Sequence, residues 1–281
     1  MSKTSEQISV AALYRFASLP HYERHQHALY ECAREAGVKG TLLLASEGIN
    51  GTIAGTGQGL GTVLGAISAI PGLEQIDVKF SQARTMPFGR LKVRLKREIV
   101  TMGVEGVDPR RSVGTYVAPQ DWNSLIADPT TLLVDTRNAY EVGIGTFSGA
   151  EDPATRSFRE FPSWIEKRLN EGPRPARIAM FCTGGIRCEK ATAYVKSLGF
   201  EDVYHLKGGI LNYLEHVPEH ASLWRGACYV FDERVAVGHG LGQSAFKLCH
   251  ACGSPVAVDV GEGGGFIDDM CACCQHPQTG E

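Results

Sequence analysis

The fold is decided by one stretch of the sequence, Arg177-Ile-Ala-Met-Phe-Cys-Thr-Gly-Gly-Ile-Arg-Cys-Glu-Lys190. Its first five residues form an apolar run typical of a buried strand, and Cys182 follows them directly. Residues 189–198 then show helical spacing of apolar side chains, with Gly199 as the stop. Alternating strands and helices predict a parallel sheet whose site lies at the carboxyl ends of the strands, which is where Cys182 stands.

The loop after Cys182 fits an activated thiol. If the helix begins near Cys188, the glycines at 184 and 185 allow several backbone N–H groups to curl around the sulfur. These groups, the helix N-terminus and Arg187 would stabilise a thiolate, a persulfide or an oxygenated sulfur at Cys182. The alternative is a buried core thiol beside a tight turn, and the order strand, cysteine, glycine pair, arginine, helix disfavours it.

Several neighbours of the loop have two possible roles. Cys188 is either a resolving thiol for an oxidised Cys182 or a small residue packed under the helix start. Asp135 and Arg137 either orient the loop or form a structural ion pair at a strand end, and the second role is favoured. Residues 189 and 190 fall on the first helical turn and are predicted to be solvated surface.

The first hundred residues predict a second kind of fold. A helix at 22–36 and another at 60–70 alternate with strand-like runs at 10–16, 40–55, 76–80 and 91–95. Residues 40–55 are two apolar β-prone runs around Glu47-Gly-Ile-Asn-Gly51, which predicts a hairpin. The resulting order is the split βαβ of a ferredoxin-like, acylphosphatase-like α+β domain.

Length and composition bound the organisation. The chain has 281 residues and a net charge of −3, which excludes a single small module and a generally basic protein. We expect a ferredoxin-like domain at 1–110, an α/β domain with the Cys182 loop at 117–224 and a small Cys-rich segment at 225–281, with a turn-rich linker at 103–119. No apolar run approaches the roughly 18 residues that span a bilayer, so we expect a cytoplasmic protein without a membrane partner.

A basic segment stands out against the nearly neutral total charge. Residues 79–97 contain seven basic residues and no acidic one. Lys92, Arg94 and Lys96 alternate with apolar residues, so a strand would place all three on one face, at a spacing that suits a phosphate backbone. A solvated edge strand explains the same pattern, and a small-anion site is a weaker possibility.

The cysteines indicate metal binding rather than a disulfide framework. There are nine, an odd number, and five of them lie in the last 33 residues. Cys249, Cys252, Cys271 and Cys274 form the pattern C-x2-C-x18-C-x2-C, which is within the range of a structural four-thiolate zinc site. Residues 261–265 are predicted to form a hairpin between the pairs, while Cys273 and His250 leave the choice of ligands open. The alternative is a flexible, oxidisable tail.

Residues 130–217 resemble a rhodanese domain. Asp135-Thr-Arg-Asn-Ala-Tyr-Glu141 resembles its early D-x-R motif, residues 145–150 its G-x-x-x-G-A turn, and Leu206-Lys-Gly-Gly-Ile210 its closing strand. The loop from Cys182 to Arg187 has the six-residue length that rhodaneses use for sulfur. A tyrosine-phosphatase loop would instead place arginine at position 188, which is a cysteine.

The flanking motifs make the resemblance more specific. Glu47-Gly-Ile-Asn-Gly-Thr52, Cys182-Thr-Gly-Gly-Ile-Arg-Cys-Glu-Lys190 and Phe231-Asp-Glu-Arg-Val235 together resemble the bacterial rhodanese-containing tRNA uridine(34) hydroxylases. This resemblance implies oxygen-dependent 5-hydroxylation of the wobble uridine, with tRNA as partner, molecular oxygen as co-substrate and Cys182 as the essential cysteine.

Other functions stay open from the residues alone. The loop itself indicates a sulfurtransferase that forms a Cys182 persulfide, and a non-catalytic rhodanese-like binding module is disfavoured because the cysteine loop is intact. No flavin, haem or facial-triad iron signature is visible, so the sequence assigns no organic cofactor.

Overall fold

A computed structural model of the chain describes residues 7–258 together with residues 271 and 274. The predicted hairpin at 261–265 and Cys273 lie outside the described residues. Two sheets dominate the fold, one in each half of the chain. Their arrangement fixes where the site lies.

Five strands form the N-terminal sheet in the order β4-β1-β3-β2-β5. They are β1 (Ile8–Phe16), β2 (Lys39–Ala45), β3 (Gly48–Gly55), β4 (Asp77–Ala83) and β5 (Leu91–Leu95). β5 runs parallel to β2, and the other pairs are antiparallel. Helices α1 (His25–Glu35) and α2 (Gly57–Ser68) pack on one face. This order confirms the predicted ferredoxin-like domain, with β5 added at one edge.

Strand alternation decides which side of this sheet meets the helices. Leu13, Leu42 and Ile53 are buried in the core that includes the apolar side chains of α1 and α2. Their neighbours along the strands, among them Ala12 and Tyr14, therefore face away from the helices. This second face is the one that meets the other half of the molecule.

The predicted hairpin is confirmed, but its turn is shorter than the Glu47–Gly51 motif suggests. β3 already begins at Gly48 and pairs with both β2 and β1. Gly48 has a φ of 141°, and a Cβ there would lie 1.9 Å from the carbonyl oxygen of Arg15. The motif therefore needs glycine at this point because two strands approach each other too closely for a side chain.

The second half is built on a parallel sheet in the order β6-β10-β9-β7. Its strands are β6 (Thr115–Val117), β7 (Thr131–Asp135), β9 (Arg177–Phe181) and β10 (Val203–Leu206). The helices of this half are α3 (Pro119–Ile126), α4 (Ala139–Val142), α5 (Phe161–Glu171), α6 (Ile186–Ser197) and α7 (Gly209–His216). Two apolar cores are built around this sheet. The predicted α/β domain with a parallel sheet is confirmed.

Three two-stranded sheets complete the part of the chain that the structure describes. They pair β8 (Gly145–Phe147) with β11 (Trp224–Gly226), β12 (Cys228–Tyr229) with β13 (Ala236–Val237), and β14 (Phe246–Leu248) with β15 (Pro255–Ala257). No helix in the described ranges has both the length and the apolar character needed to traverse a lipid bilayer.

Three local predictions differ from the structure. The predicted linker at 103–119 contains β6, which pairs with β10 and so belongs to the parallel sheet. The segment predicted to start at residue 225 begins inside β11, and Cys228 is part of the apolar core of the second half. The helix expected from residue 189 begins at Ile186, because Gly185 at its N-cap takes the left-handed conformation that lets the chain turn earlier.

Candidate active site

Cys182 follows β9 directly and lies at the carboxyl end of the parallel sheet, as predicted. The backbone N–H of Gly185 donates to its Sγ at 3.1 Å. Gly185 has a φ of 104°, and a Cβ there would meet the hydroxyl of Tyr14 at 3.0 Å. Glycine at this position thus allows both the turn and the close approach of the N-terminal domain.

The surroundings of Cys182 favour the thiolate. Burial raises its pKa, but hydrogen bonds from the side chain and backbone of Cys188, the charge of Arg187 and the Gly185 N–H lower it to about 6. Burial and the neighbouring Cys182 raise the pKa of Cys188 well above the ordinary value. These opposite shifts favour a thiolate at 182 and a thiol at 188. The Sγ of Cys188 lies 3.5 Å from Thr136 Oγ1.

An ion pair with Glu141 holds the Arg187 guanidinium near Cys182. Its Nη1 and Nη2 each donate to Glu141 at 2.7 Å, and the Glu141 side chain is fully buried. Burial opposes the charge of Glu141, but the Arg187 charge and hydrogen bonds keep its pKa below the ordinary value. Sequence reasoning missed this residue. The signal was its place three residues after Asn138, whose backbone N–H donates to Glu141 Oε2 at the start of α4.

Asp135 and Arg137 form an ion pair with no exposed side-chain surface. Arg137 also donates to the carbonyl oxygens of Glu141 and Gly145. This pair ties the end of β7 to the segment that carries Glu141, in agreement with the favoured structural role.

The prediction that residues 189 and 190 are solvated surface is wrong. Lys190 is 2% exposed, and its Nζ lies 2.9 Å from Glu47 and 2.6 Å from Glu98. Glu189 is also buried and accepts a hydrogen bond from Tyr14 at 2.8 Å. The reason is that α6 packs against the N-terminal domain, so its first turn is an interface between domains.

A cavity of about 470 Å³ lies between the Cys182 loop and the helix-free face of the N-terminal sheet. Its walls include Tyr14, Asn50, Thr52 and Lys79 from the sheet and Cys182, Thr183, Gly184, Arg187, Lys207 and Asn212 from the second half, with Phe231 also contributing. Sequence reasoning missed the sheet residues, since a sequence does not show which faces of two domains meet.

Lys92 and Arg94, two of the three predicted phosphate-binding residues, lie on the same sheet face as the cavity. Lys92 pairs with Thr41, which pairs with Thr52, while Arg94 pairs with Leu43, which pairs with Asn50. Directly paired residues point to the same side of a sheet. One row of side chains therefore leads from Lys92 at the edge to Thr52 in the cavity, and a second row leads from Arg94 to Asn50. The positive charge of Arg90, burial and Arg94 lower the pKa of Lys92, which reflects this concentration of charge.

Lys96 and Lys79, two other basic residues of the segment, are placed differently from what a single row of free cations would require. Lys96 lies one residue beyond the end of β5, so the strand sets the facing of only two of the three. Lys79 is paired with Glu215 and lies 3.3 Å from Asn212 Oδ1. Its charge is therefore already matched inside the cavity wall.

The four predicted zinc ligands form one cluster. The Sγ atoms of Cys249, Cys252, Cys271 and Cys274 all lie within 4.8 Å of one another. The Sγ atoms of Cys252 and Cys271 are 3.6 Å apart, and the N–H of Cys271 donates to Cys249 Sγ. None of the four is among the residues that line the cavity.

Comparisons with known proteins cover both halves of the chain. The UPF0176 acylphosphatase-like domain matches residues 8–99, and the rhodanese-like domain matches residues 118–216. The tRNA uridine(34) hydroxylase of Brucella anthropi is 59% identical over 276 residues, which are 97% of this chain and 90% of that protein. The protein of the same name from Brucella ovis is 59% identical over 274 residues, with the same shares covered.

Proposed function

The chain belongs to the tRNA uridine(34) hydroxylase family, and on this premise we propose that it hydroxylates C5 of uridine 34 in tRNA to give 5-hydroxyuridine, with molecular oxygen as co-substrate. The observation that carries the proposal is the cavity. Cys182 lines one of its walls, and the other wall is the N-terminal sheet, whose edge strand β5 carries Lys92 and Arg94. Its volume is within the range of about 300–1,000 Å³ of small-molecule sites, so one extruded nucleotide can enter.

Cys182 is the reactive group of this proposal. Its lowered pKa keeps it anionic at neutral pH, and Arg187, paired with Glu141, is the positioning residue that supplies positive charge beside it. Anticodon bases are unpaired in their loop and can be turned out toward such a pocket at lower cost than bases in a helix.

Cys188 has the role of resolving thiol. One oxygen atom of O2 is inserted into the C5–H bond, and the second atom leaves as water. Reduction of this second atom to water consumes two electrons and two protons. Oxidation of the Cys182 thiolate and the Cys188 thiol to a disulfide releases two electrons and one proton, and solvent water supplies the second proton, so the pair has the required electron capacity. An external thiol would then restore the reduced pair.

The tRNA backbone lies along β5 in this proposal. Lys92, Arg94 and Lys96 are supported as phosphate contacts by their edge position and by the rows that lead from Lys92 and Arg94 to the cavity. Adjacent strands are about 4.8 Å apart, so Arg94 starts about 10 Å from Asn50, a distance that one nucleotide can cover. The domains at 1–110 and 117–224 then divide the work between RNA binding and chemistry, and the presence of tRNA in the cytoplasm makes that the expected compartment.

The cluster of Cys249, Cys252, Cys271 and Cys274 is proposed to hold a structural Zn²⁺. A tetrahedral ion with Zn–S distances of about 2.3 Å needs its sulfurs about 3.8 Å apart, which fits the separation within this cluster. Four thiolates fill the coordination sphere, so the ion would stabilise the segment at 225–281 rather than take part in the reaction.

Nucleoside mass spectrometry of tRNA tests the function. A deletion strain complemented with the wild-type chain is expected to contain 5-hydroxyuridine derivatives at position 34, and the Cys182→Ala complement is expected to lack them. Unchanged modification in the deletion strain refutes the proposal.

A persulfide-forming sulfurtransferase is the second candidate, favoured by the rhodanese-like match and by the N–H that donates to Cys182 Sγ. It predicts sulfane sulfur on Cys182 and thiosulfate-dependent sulfur transfer to cyanide by the purified protein. If the hydroxylase proposal is correct, the purified protein should transfer sulfur from thiosulfate to cyanide more slowly than a dedicated sulfurtransferase does.

A further inference from the structure

Asn50 presents a fixed hydrogen-bond acceptor at the cavity. Its Nδ2 donates to the carbonyl oxygen of Ile99 at 2.8 Å. A carbonyl oxygen can only accept, so the amide nitrogen must face Ile99, and the amide oxygen is the acceptor that Asn50 presents to a ligand. Within residues 7–258 no donor is found on Asn50 Oδ1, and Asn50 lines the cavity.

A hydrogen-bond acceptor opposite N3 of the base distinguishes uracil from cytosine. Uracil carries a hydrogen on N3 and donates it. Cytosine has no hydrogen on N3 at neutral pH, so its N3 is an acceptor and would leave two acceptors facing each other. A site with a fixed acceptor opposite N3 therefore binds uracil and rejects cytosine.

We propose that Asn50 Oδ1 accepts the N3–H of the target base and so selects uridine over cytidine, an inference that rests on the proposed function. Asn50 belongs to the sheet wall of the cavity and Cys182 to the other wall. The N3 and C5–C6 edges lie on different sides of a pyrimidine ring. A uracil held at N3 by Asn50 thus turns its C5–C6 edge toward the thiolate.

Asn212 offers a matched control. It lines the same cavity, but its Nδ2 donates to the Lys207 carbonyl oxygen at 2.9 Å and its Oδ1 accepts from Lys79. Both ends of this amide are engaged within the protein. Asn212 Oδ1 is therefore already engaged by a cation of the protein, whereas Asn50 Oδ1 is not, among the residues that the structure describes.

The first test keeps the protein unchanged and varies the RNA. Anticodon stem–loops with U34, C34 or N3-methyluridine at position 34 are titrated under anaerobic conditions, where no turnover occurs. The wild-type chain is expected to bind the C34 and N3-methyl RNAs about tenfold more weakly than the U34 RNA, as for loss of one buried hydrogen bond. Equal binding of all three RNAs overturns the inference.

The second test compares Asn50→Ala with Asn212→Ala, each checked for folding by thermal unfolding. Asn50→Ala is expected to reduce the U34 preference over C34 to less than about twofold, whereas Asn212→Ala keeps the wild-type ratio. A full preference in Asn50→Ala, or equal loss in both variants, overturns the assignment of Asn50. Aerobic assays on the U34 RNA test the proposed function separately, since base selection can fail while 5-hydroxyuridine still forms.

Discussion

Lys190 Nζ lies 2.9 Å from Glu47 Oε1, and this contact joins the cysteine-loop helix to the glycine-rich turn of the N-terminal domain. Glu47 also accepts the backbone N–H of Ile99 at 2.7 Å, and Ile99 in turn accepts from Asn50. One buried lysine therefore ties the thiolate side of the cavity to the side that carries the proposed base-reading amide.

Replacing Lys190 should destabilise the protein strongly. Lys190→Met leaves Glu47 and Glu98 partly buried without their cation, and we expect a loss of about 3 kcal/mol in the free energy of unfolding. Urea unfolding measures this. Lys196→Met, on the same helix but paired with an exposed Glu201, is the control and should change stability by less than about 0.5 kcal/mol. Similar losses in both variants would contradict the role given to Lys190.

The pH dependence of thiol reactivity should report the lowered pKa of Cys182. A thiol reacts as its thiolate, so alkylation by iodoacetamide should rise with pH through a midpoint near 6 and approach its plateau by about pH 7.5. Arg187→Gln removes the positive charge and should move the midpoint upward by about one unit or more. Peptide mass spectrometry, with Cys182→Ala as the blank, locates the label. A wild-type midpoint above pH 8 would show that the thiol is not activated.

Removing the cations of β5 should weaken RNA binding in a salt-dependent way. The double variant Lys92→Ala with Arg94→Ala is expected to reduce the slope of log affinity against log salt by at most about 0.9 for each lost phosphate contact. Fluorescence anisotropy with a labelled anticodon stem–loop measures the slope. Lys167→Ala, an exposed change on α5, serves as the comparison. An unchanged slope in the double variant would place the RNA elsewhere.

Metal content should follow the four-cysteine cluster. Protein purified without chelators is expected to contain about one zinc per chain, and Cys249→Ser with Cys252→Ser should lose it. Cys32→Ser, a half-buried cysteine in α1, should keep the metal. Inductively coupled plasma mass spectrometry gives the stoichiometry. Zinc near zero in fully reduced wild-type protein would rule the site out.

Much of the architecture follows from local patterns. Apolar alternation located the strands of the N-terminal sheet, and the run before Cys182 located the central strand of the parallel sheet. The motifs around Glu47, Cys182 and Phe231 pointed to the family that the relatives confirm. These features are encoded by residues close together in the sequence.

The remaining features depend on pairs of distant residues. Glu141 meets Arg187 across 46 residues, and Lys190 is buried only because another domain covers it. The cavity arises where two domains face each other, so no single segment predicts it. β6 was missed because three residues between turn signals carry too little periodicity to distinguish a strand from a linker.

Arg234 contacts the N-terminal sheet although it lies 153 residues after its partner Ser81 in the sequence. It pairs with Asp232 and donates to Ser81 Oγ at 2.7 Å, while nearby Phe231 lines the cavity. This segment is synthesised long after the first sheet and the cysteine loop. The wall that Phe231 adds to the cavity can therefore form only after the chain that carries Cys182 has already been synthesised.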